Sequence, residues 1–248
     1  MNIYGDFASI YDNFIEAPYE QWAQYIEEIW RKHGVAPKMV LDLACGTGSL
    51  THIMAAKGYD MIGVDVSPEM LAIARAKGNV DSQILFLQQD MREFELYGTV
   101  DAVVCVCDGI NYLTEPADLD RVLALVRNYL NPGGLFIFDI NSPYKYENIL
   151  AENTFAHTDE TAAYIWENFY DANERINEYD MTFFVADGGG CYYRRFEETH
   201  VQRAYSIEEI KSALESADLE YLAHYAELTL DSPEADCQRI FFVTRKKD

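Results

Sequence analysis

Between Lys38 and Asp139 short apolar runs alternate with helical patterns, and this alternation narrows the fold more than any other feature of the chain. Lys38 to Ala44, Tyr59 to Val66, Ile84 to Leu87, Val100 to Cys107 and Leu135 to Asp139 read as buried strands. Leu50 to Lys57 and Pro116 to Leu130 read as helices, as does a segment opened by Ser67-Pro68 with Met70, Leu71 and Ala74 on one stripe. Asn131-Pro132-Gly133-Gly134 marks a break after the last of them. Strands joined through helices run parallel, because a parallel pair needs a long crossover. The expected fold is therefore α/β, a doubly wound, mostly parallel sheet covered on both faces. With 248 residues, 49% of them apolar, the chain can bury a core of that kind.

The flanks read differently. Asn2 to Phe14 is an aromatic-rich lead, followed from Pro18 by a helix carrying Trp22, Ile26, Ile29 and Trp30 and closed by Gly34 and Pro37. From Ala163 to Val201 apolar and polar residues alternate, with aromatics at Tyr164, Trp166, Phe169, Tyr179, Phe183, Phe184, Tyr192, Tyr193 and Phe196. Gly188-Gly189-Gly190 is a hairpin candidate within it. The stretch predicts a small antiparallel sheet inserted at 143–203 into a domain made of 1–142 and 204–248. Ser206 with Glu209 forms a capping box for a helix to Ala217, and Tyr221 to Leu228 and Ile240 to Thr244 predict two last strands.

A net charge of −23 makes nucleic acid an unfavourable partner, since such binding draws on Lys and Arg that neutralise phosphates. Anionic membrane surfaces are disfavoured for the same reason. No apolar run approaches the roughly 18 residues of a membrane span, and the start of the chain does not read as a signal peptide. A cytoplasmic location is expected. The five cysteines show no Cys-x-x-Cys pair, so reduced thiols and no metal site are expected.

Chemistry concentrates in Val40-Leu41-Asp42-Leu43-Ala44-Cys45-Gly46-Thr47-Gly48, a strand running into a glycine turn and a helix. Gly46 and Gly48 let backbone approach a ligand, and the helix start favours a carboxylate. Taken alone, the turn has a bland reading as a tight connection. Asp65 ends the second strand, where an acid can accept from both ribose hydroxyls of an adenosine ligand or simply cap the next helix. Asp90 and Met91 follow the third strand, suited to an adenine amino group and ring face. Three neighbouring strands thus bring such residues to one sheet edge.

This run, with Asp65, Gln89-Asp90-Met91 and Asn131-Pro132-Gly133-Gly134, resembles the class I S-adenosylmethionine-dependent methyltransferases. The resemblance implies a Rossmann-like seven-stranded sheet with a reversed last strand and S-adenosylmethionine as cofactor. It implies that Gly46 and Gly48 lie under the methionine part, that Asp42 orients the amino group, and that Asp65 takes the ribose and Asp90 and Met91 the adenine. Cys107 and Asp108 would flank the sulfonium, and Tyr4 and Tyr11 in the lead would act as lid residues. The small-molecule branch, including sugar N-methyltransferases, is the nearest in pattern through Tyr11-Asp12 and Glu198 to Arg203. Some of its members carry a catalytic histidine where this chain has Tyr112. Asp108, Tyr112 and His200 are the candidate catalytic groups, with a small-molecule methyl acceptor as partner and a monomer or homodimer as assembly. Two other readings stay open at this point. One is a sensor that binds the cofactor without turnover. The other is a nicotinamide-dependent oxidoreductase, whose fingerprint needs a third glycine where Thr51 stands.

Overall fold

The computed structural model describes residues 11–14, 17–78, 83–186 and 192–247. Helices α1 (Tyr11–Phe14) and α2 (Tyr19–Lys32) precede the alternating region. That region forms β1 (Met39–Leu43), α3 (Ser49–Ala56), β2 (Asp60–Asp65), α4 (Pro68–Lys77), β3 (Leu85–Gln88), β4 (Val100–Cys105), α5 (Pro116–Tyr129) and β5 (Leu130–Asn141). Four strands follow: β6 (Thr154–Thr158), β7 (Ala162–Asp171), β8 (Ile176–Ala186) and β9 (Tyr193–Arg203). The chain closes with α6 (Ile207–Ser216), β10 (Leu219–Ala226) and β11 (Arg239–Lys246).

The main sheet has seven strands in the order β10-β11-β5-β4-β1-β2-β3. Strands β1 to β5 pair in parallel, and β11 runs antiparallel to both β10 and β5. A separate antiparallel sheet holds β6-β7-β8-β9. The fold class expected from the alternation is the fold observed. Its strands are apolar throughout because both faces are covered. On β1, Val40 packs with Trp22, Ile26 and Leu50 on one face, while Leu41 and Leu43 pack with Val122 and Ile210 on the other. Helix starts are fixed locally. Ser67 accepts from the Met70 amide at 3.1 Å, and Ser206 and Glu209 satisfy each other's amides at 3.2 and 2.9 Å. Each such cap contributes about 1 kcal/mol.

The structure departs from the expectations in three places. Asn131 to Gly134 ends the helix, as expected, but belongs to β5 rather than to a loop. The reason is an irregular first pairing: the β4–β5 register shifts between Val100 and Ala102, and a side chain at Gly134 would stand 2.7 Å from the Asp101 carbonyl oxygen. The second sheet begins at Thr154 rather than Ala163, because β6 is a largely exposed edge strand with little apolar signal. Lys145–Leu150 forms a π-helical turn that the pattern does not announce. The candidate hairpin at Gly188-Gly189-Gly190 lies outside the described residues. Among the described residues no helix is long and apolar enough to cross a membrane.

Candidate active site

β1 and β4 are neighbours whose following helices depart in opposite directions along the sheet. That reversal opens a crevice at their carboxyl ends, where open α/β sheets hold ligands. Three non-glycine residues there adopt left-handed backbone: Ala44 at φ 59°, Cys107 at 67° and Asp108 at 54°. Such conformations cost on the order of 1–3 kcal/mol each and gather at functional sites.

The crevice contains a cavity of about 400 Å³ lined by Asp42, Gly46, Asp65, Asp90, Met91 and Cys107, six of the residues expected there. Gly46 has φ 53°, and a side chain placed on it would meet nothing within 4 Å. Gly48 is different. It opens α3 at φ 71°, and a side chain there would stand 3.0 Å from Ala74 and 3.1 Å from Phe86. Close packing against α4 and β3 requires Gly48, and the cavity wall does not include it.

The acids differ in their settings. Asp42 is buried and accepts from Thr51 Oγ1 at 2.5 Å. Burial, with Asp65 adding repulsion and Thr51 opposing, pushes its carboxyl up to about 7. Asp65 accepts from the Gly46 and Ser67 amides, each at 2.8 Å. Burial raises its pKa and those amides only partly offset the rise. Asp65 thus ties the glycine loop to the start of α4. Asp90 is gripped by Arg92, whose Nε lies 2.9 and 3.0 Å from the two carboxylate oxygens. That guanidinium holds Asp90 below the usual carboxylate range. Arg92 also lines the cavity and reaches Asp118 at 3.2 Å. Arg92 was not among the sequence candidates, although Asp90 and Arg92 two apart in a turn were a readable sign.

Helix α1 is fastened to the glycine loop. Asp12 accepts from Thr47 Oγ1 at 2.7 Å and pairs with Lys77 Nζ at 2.6 Å. Beside it, the Tyr11 hydroxyl lies 3.6 Å from Cys107 Sγ. Tyr4, the other expected lid residue, lies outside the described residues.

A second cavity of about 510 Å³ lies between the two sheets and shares Tyr11, Cys107, Tyr112 and His200 with the first. Trp166 and Tyr179 of the smaller sheet form part of its wall. Its polar groups form one network. Arg239 pairs with Asp108 at 2.8 Å, with Asp139, and with Glu227 at 3.7 Å. Gln202 Nε2 donates to Asp108 at 2.7 Å, and its Oε1 accepts from Tyr146 and Tyr179 at 2.7 and 2.5 Å. Burial opposes ionisation of Asp108, but the charges of Arg239 and Lys145 and the donors on it hold its pKa below the usual range. A carboxylate so stabilised is a weak proton acceptor, which speaks against Asp108 as a general base. Asp139, buried beneath, is pushed up to about 6 by burial. Lys145 donates to Asn141 Oδ1 at 2.8 Å, and burial lowers its pKa, with Arg239 adding to the effect. Lys145, Gln202, Glu227 and Arg239 were not sequence candidates.

Tyr112 ends a 3₁₀ turn, Gly109–Tyr112, anchored by buried Asn111. Asn111 Nδ2 donates to the Arg203 carbonyl at 2.8 Å, and its Oδ1 accepts from the Asn141 amide at 2.9 Å. The turn is thereby fixed to both sheets. The Tyr112 hydroxyl lies 3.3 Å from His200 Nδ1 on β9. Two of the three catalytic candidates are in contact, and Asp108 lies on the second cavity that both of them also line.

Comparison with known proteins decides the family. Residues 40–134 match the methyltransferase domain family. The chain is 40% identical over 246 residues to “Putative methyltransferase YqeM” of Bacillus subtilis (strain 168), covering 98% of this chain and 97% of that one. It is 33% identical to the crystal structure of a S-adenosylmethionine-dependent methyltransferase from Clostridium acetobutylicum ATCC 824, with a TM-score of 0.90 and complete coverage of both chains. The chain belongs to the S-adenosylmethionine-dependent methyltransferases. A dTDP-3-amino-3,4,6-trideoxy-alpha-D-glucopyranose N,N-dimethyltransferase of Streptomyces venezuelae is more distant, 28% identical over 227 residues, covering 88% of this chain and 92% of that one. The methyltransferase uses S-adenosylmethionine, and its crevice fits that cofactor: Gly46 leaves room for close approach, and Asp42 and Asp65 supply acceptors beside it.

Proposed function

We propose that this methyltransferase methylates an amino group of a small molecule seated in the cavity between the sheets. The observation that carries this reading is the pair of cavities meeting at Tyr11, Cys107, Tyr112 and His200. One cavity takes the methyl donor and the other the acceptor, with the transfer at their junction. Asp42 pairs with the donor's amino group, Gly46 lies under its methionine part, Asp65 takes the ribose, and Asp90 and Met91 border the adenine. When bound, S-adenosylmethionine supplies an electrophilic methyl that the acceptor nitrogen takes as the C–N bond forms and the C–S bond breaks, leaving one proton in excess on nitrogen.

The chain's part is chiefly to align the two molecules, which can lower the barrier by roughly 7–11 kcal/mol in favourable cases. Residues 143–203 serve as the acceptor cap, and their Trp166 and Tyr179 offer faces to an amine or its carbon frame. Lys145 and Glu227 lie on the acceptor cavity but not on the shared wall, so they hold parts of the acceptor remote from the methyl. The match to an amino-sugar N,N-dimethyltransferase supports an amine, and the charge of −23 speaks against RNA or DNA. A cytoplasmic setting agrees with Cys45, Cys105, Cys107 and Cys237 being free thiols.

The test is incubation with methyl-labelled S-adenosylmethionine and three separate fractions: small metabolites, protein and RNA. Label appearing in a basic compound of the metabolite fraction is expected. Label confined to protein or RNA overturns the reading, and tight cofactor binding without any labelled product makes the chain a sensor.

A further inference from the structure

Of the residues on the shared wall, His200 has an acid behind it. Glu198 and His200 are two apart on β9, so their side chains leave the same face of the strand. Both are buried, Glu198 at 9% exposure and His200 at 3%. Glutamate is almost never buried unless paired. Glu198 Oε2 stands 3.4 Å from His200 Nε2, while His200 Nδ1 faces the Tyr112 hydroxyl at 3.3 Å. The two rings meet edge to face, at 75° and 5.9 Å between centres. The imidazole thus has a carboxylate at one nitrogen and a phenol at the other, at the junction of the cavities.

One proton arrangement suits this order. With Nε2–H turned to Glu198, Nδ1 is the acceptor, and the Tyr112 hydroxyl donates to it. At 3.4 Å the Glu198–His200 contact is loose while the ring is neutral and becomes an ion pair once the ring gains a proton. An interaction that strengthens as charge develops is the kind that accelerates a reaction.

We propose that Tyr112, His200 and Glu198 form a relay that removes the proton released when the acceptor nitrogen is methylated. The proton on nitrogen passes to Tyr112 Oη as the phenol's own proton moves to His200 Nδ1. Tyr112 ends neutral, the positive charge rests on the imidazolium, and the Glu198 carboxylate faces it. One proton leaves nitrogen, one arrives at His200, and no electrons change hands. Tyr112 is the catalytic residue and Glu198 a positioning residue acting through His200. The assignment rests on the amine-methylating reading above.

Two measurements test it on the full chain. The first is ¹⁵N NMR of histidine-labelled protein, with the His200 signals identified by their loss in His200→Gln. The expected form carries its proton on Nε2, and a ring protonated on Nδ1 overturns the relay whatever the acceptor proves to be. The second is labelled-methyl turnover on the metabolite fraction, with cofactor affinity measured alongside by calorimetry. Glu198→Gln and Tyr112→Phe are each expected to lower kcat by about 100-fold, the lower end for general acid–base catalysis, with KM and cofactor affinity unchanged. The double variant is expected to lose no more than either single one, because a chain broken once is broken. Unchanged kcat, or losses that multiply and weaken cofactor binding, overturns it. A wild-type chain that methylates no metabolite sinks the functional reading instead, and the tautomer still decides the relay's geometry.

Discussion

The two cavities share a wall and are built in opposite ways. The glycine-loop cavity takes its acids from consecutive strand ends: Asp42 near the end of β1, Asp65 closing β2, Asp90 just beyond β3. The cavity between the sheets is made of long side chains from segments far apart, such as Lys145, Gln202 and Arg239, tied by a buried ion network. A site of the first kind is set by chain geometry. One of the second kind is set by charge pairing, and it can be re-specified by changing side chains without moving the sheet.

Removing a charge should therefore hurt most in the second region. Arg239→Met strands Asp108 and Asp139 without their cation, and a loss of about 3–5 kcal/mol is expected from breaking a buried pair on one side. Urea denaturation measures it. An unchanged midpoint would mean the network is not what holds that cavity. Lys145→Met removes a neighbouring cation that bonds to Asn141 rather than to a carboxylate, so stability should move by less than about 1 kcal/mol while acceptor turnover falls.

In the first region small steric changes should matter instead. Gly63→Ala places a methyl 2.7 Å from the Phe86 ring, an overpacking expected to cost about 1–3 kcal/mol by the same denaturation assay. Asp65→Ala should weaken S-adenosylmethionine at least about tenfold in calorimetry, near 1.4 kcal/mol. Equal affinity in the variant would remove Asp65 from the donor site and leave only its ties to Gly46 and Ser67.

The mildest effect is a pH dependence. The Asp42 carboxyl sits near 7 instead of its ordinary 3.8, so between those values the folded chain holds a proton that the unfolded chain has lost. Its contribution to stability is whole below 3.8 and is lost as pH rises through 7. Binding runs the other way, because an ammonium group pairs with the ionised form. Affinity for S-adenosylmethionine should rise about eightfold from pH 6 to 7.5, with the slope abolished in Asp42→Asn. A slope that survives in the variant would place the titration elsewhere.

The contrast also explains what the sequence could reveal. The parallel strands, the Asp42-to-Gly48 turn and the position of Asp65 were legible because each is a local pattern with a local cause, whereas the reversal of β11 followed only from the family resemblance. Gly48 carries a requirement of another kind. Its spacing from Gly46 suggests a ligand loop, but the need for a glycine comes from Ala74 and Phe86, contacts no local pattern displays. Arg239 and Lys145 looked like ordinary basic residues, since only folding sets them against Asp108. The edge strand β6 was invisible because an exposed strand has no hydrophobic rhythm to read.

Asp12 gives the molecule a further property. One carboxylate, bound to Thr47, Ser49 and Lys77, moors the four residues from Tyr11 to Phe14. An ion pair open to water is worth at most about 1 kcal/mol and weakens with salt. Raising the ionic strength is therefore expected to weaken the hold of Lys77 on Asp12, one residue from the Tyr11 that both cavities share.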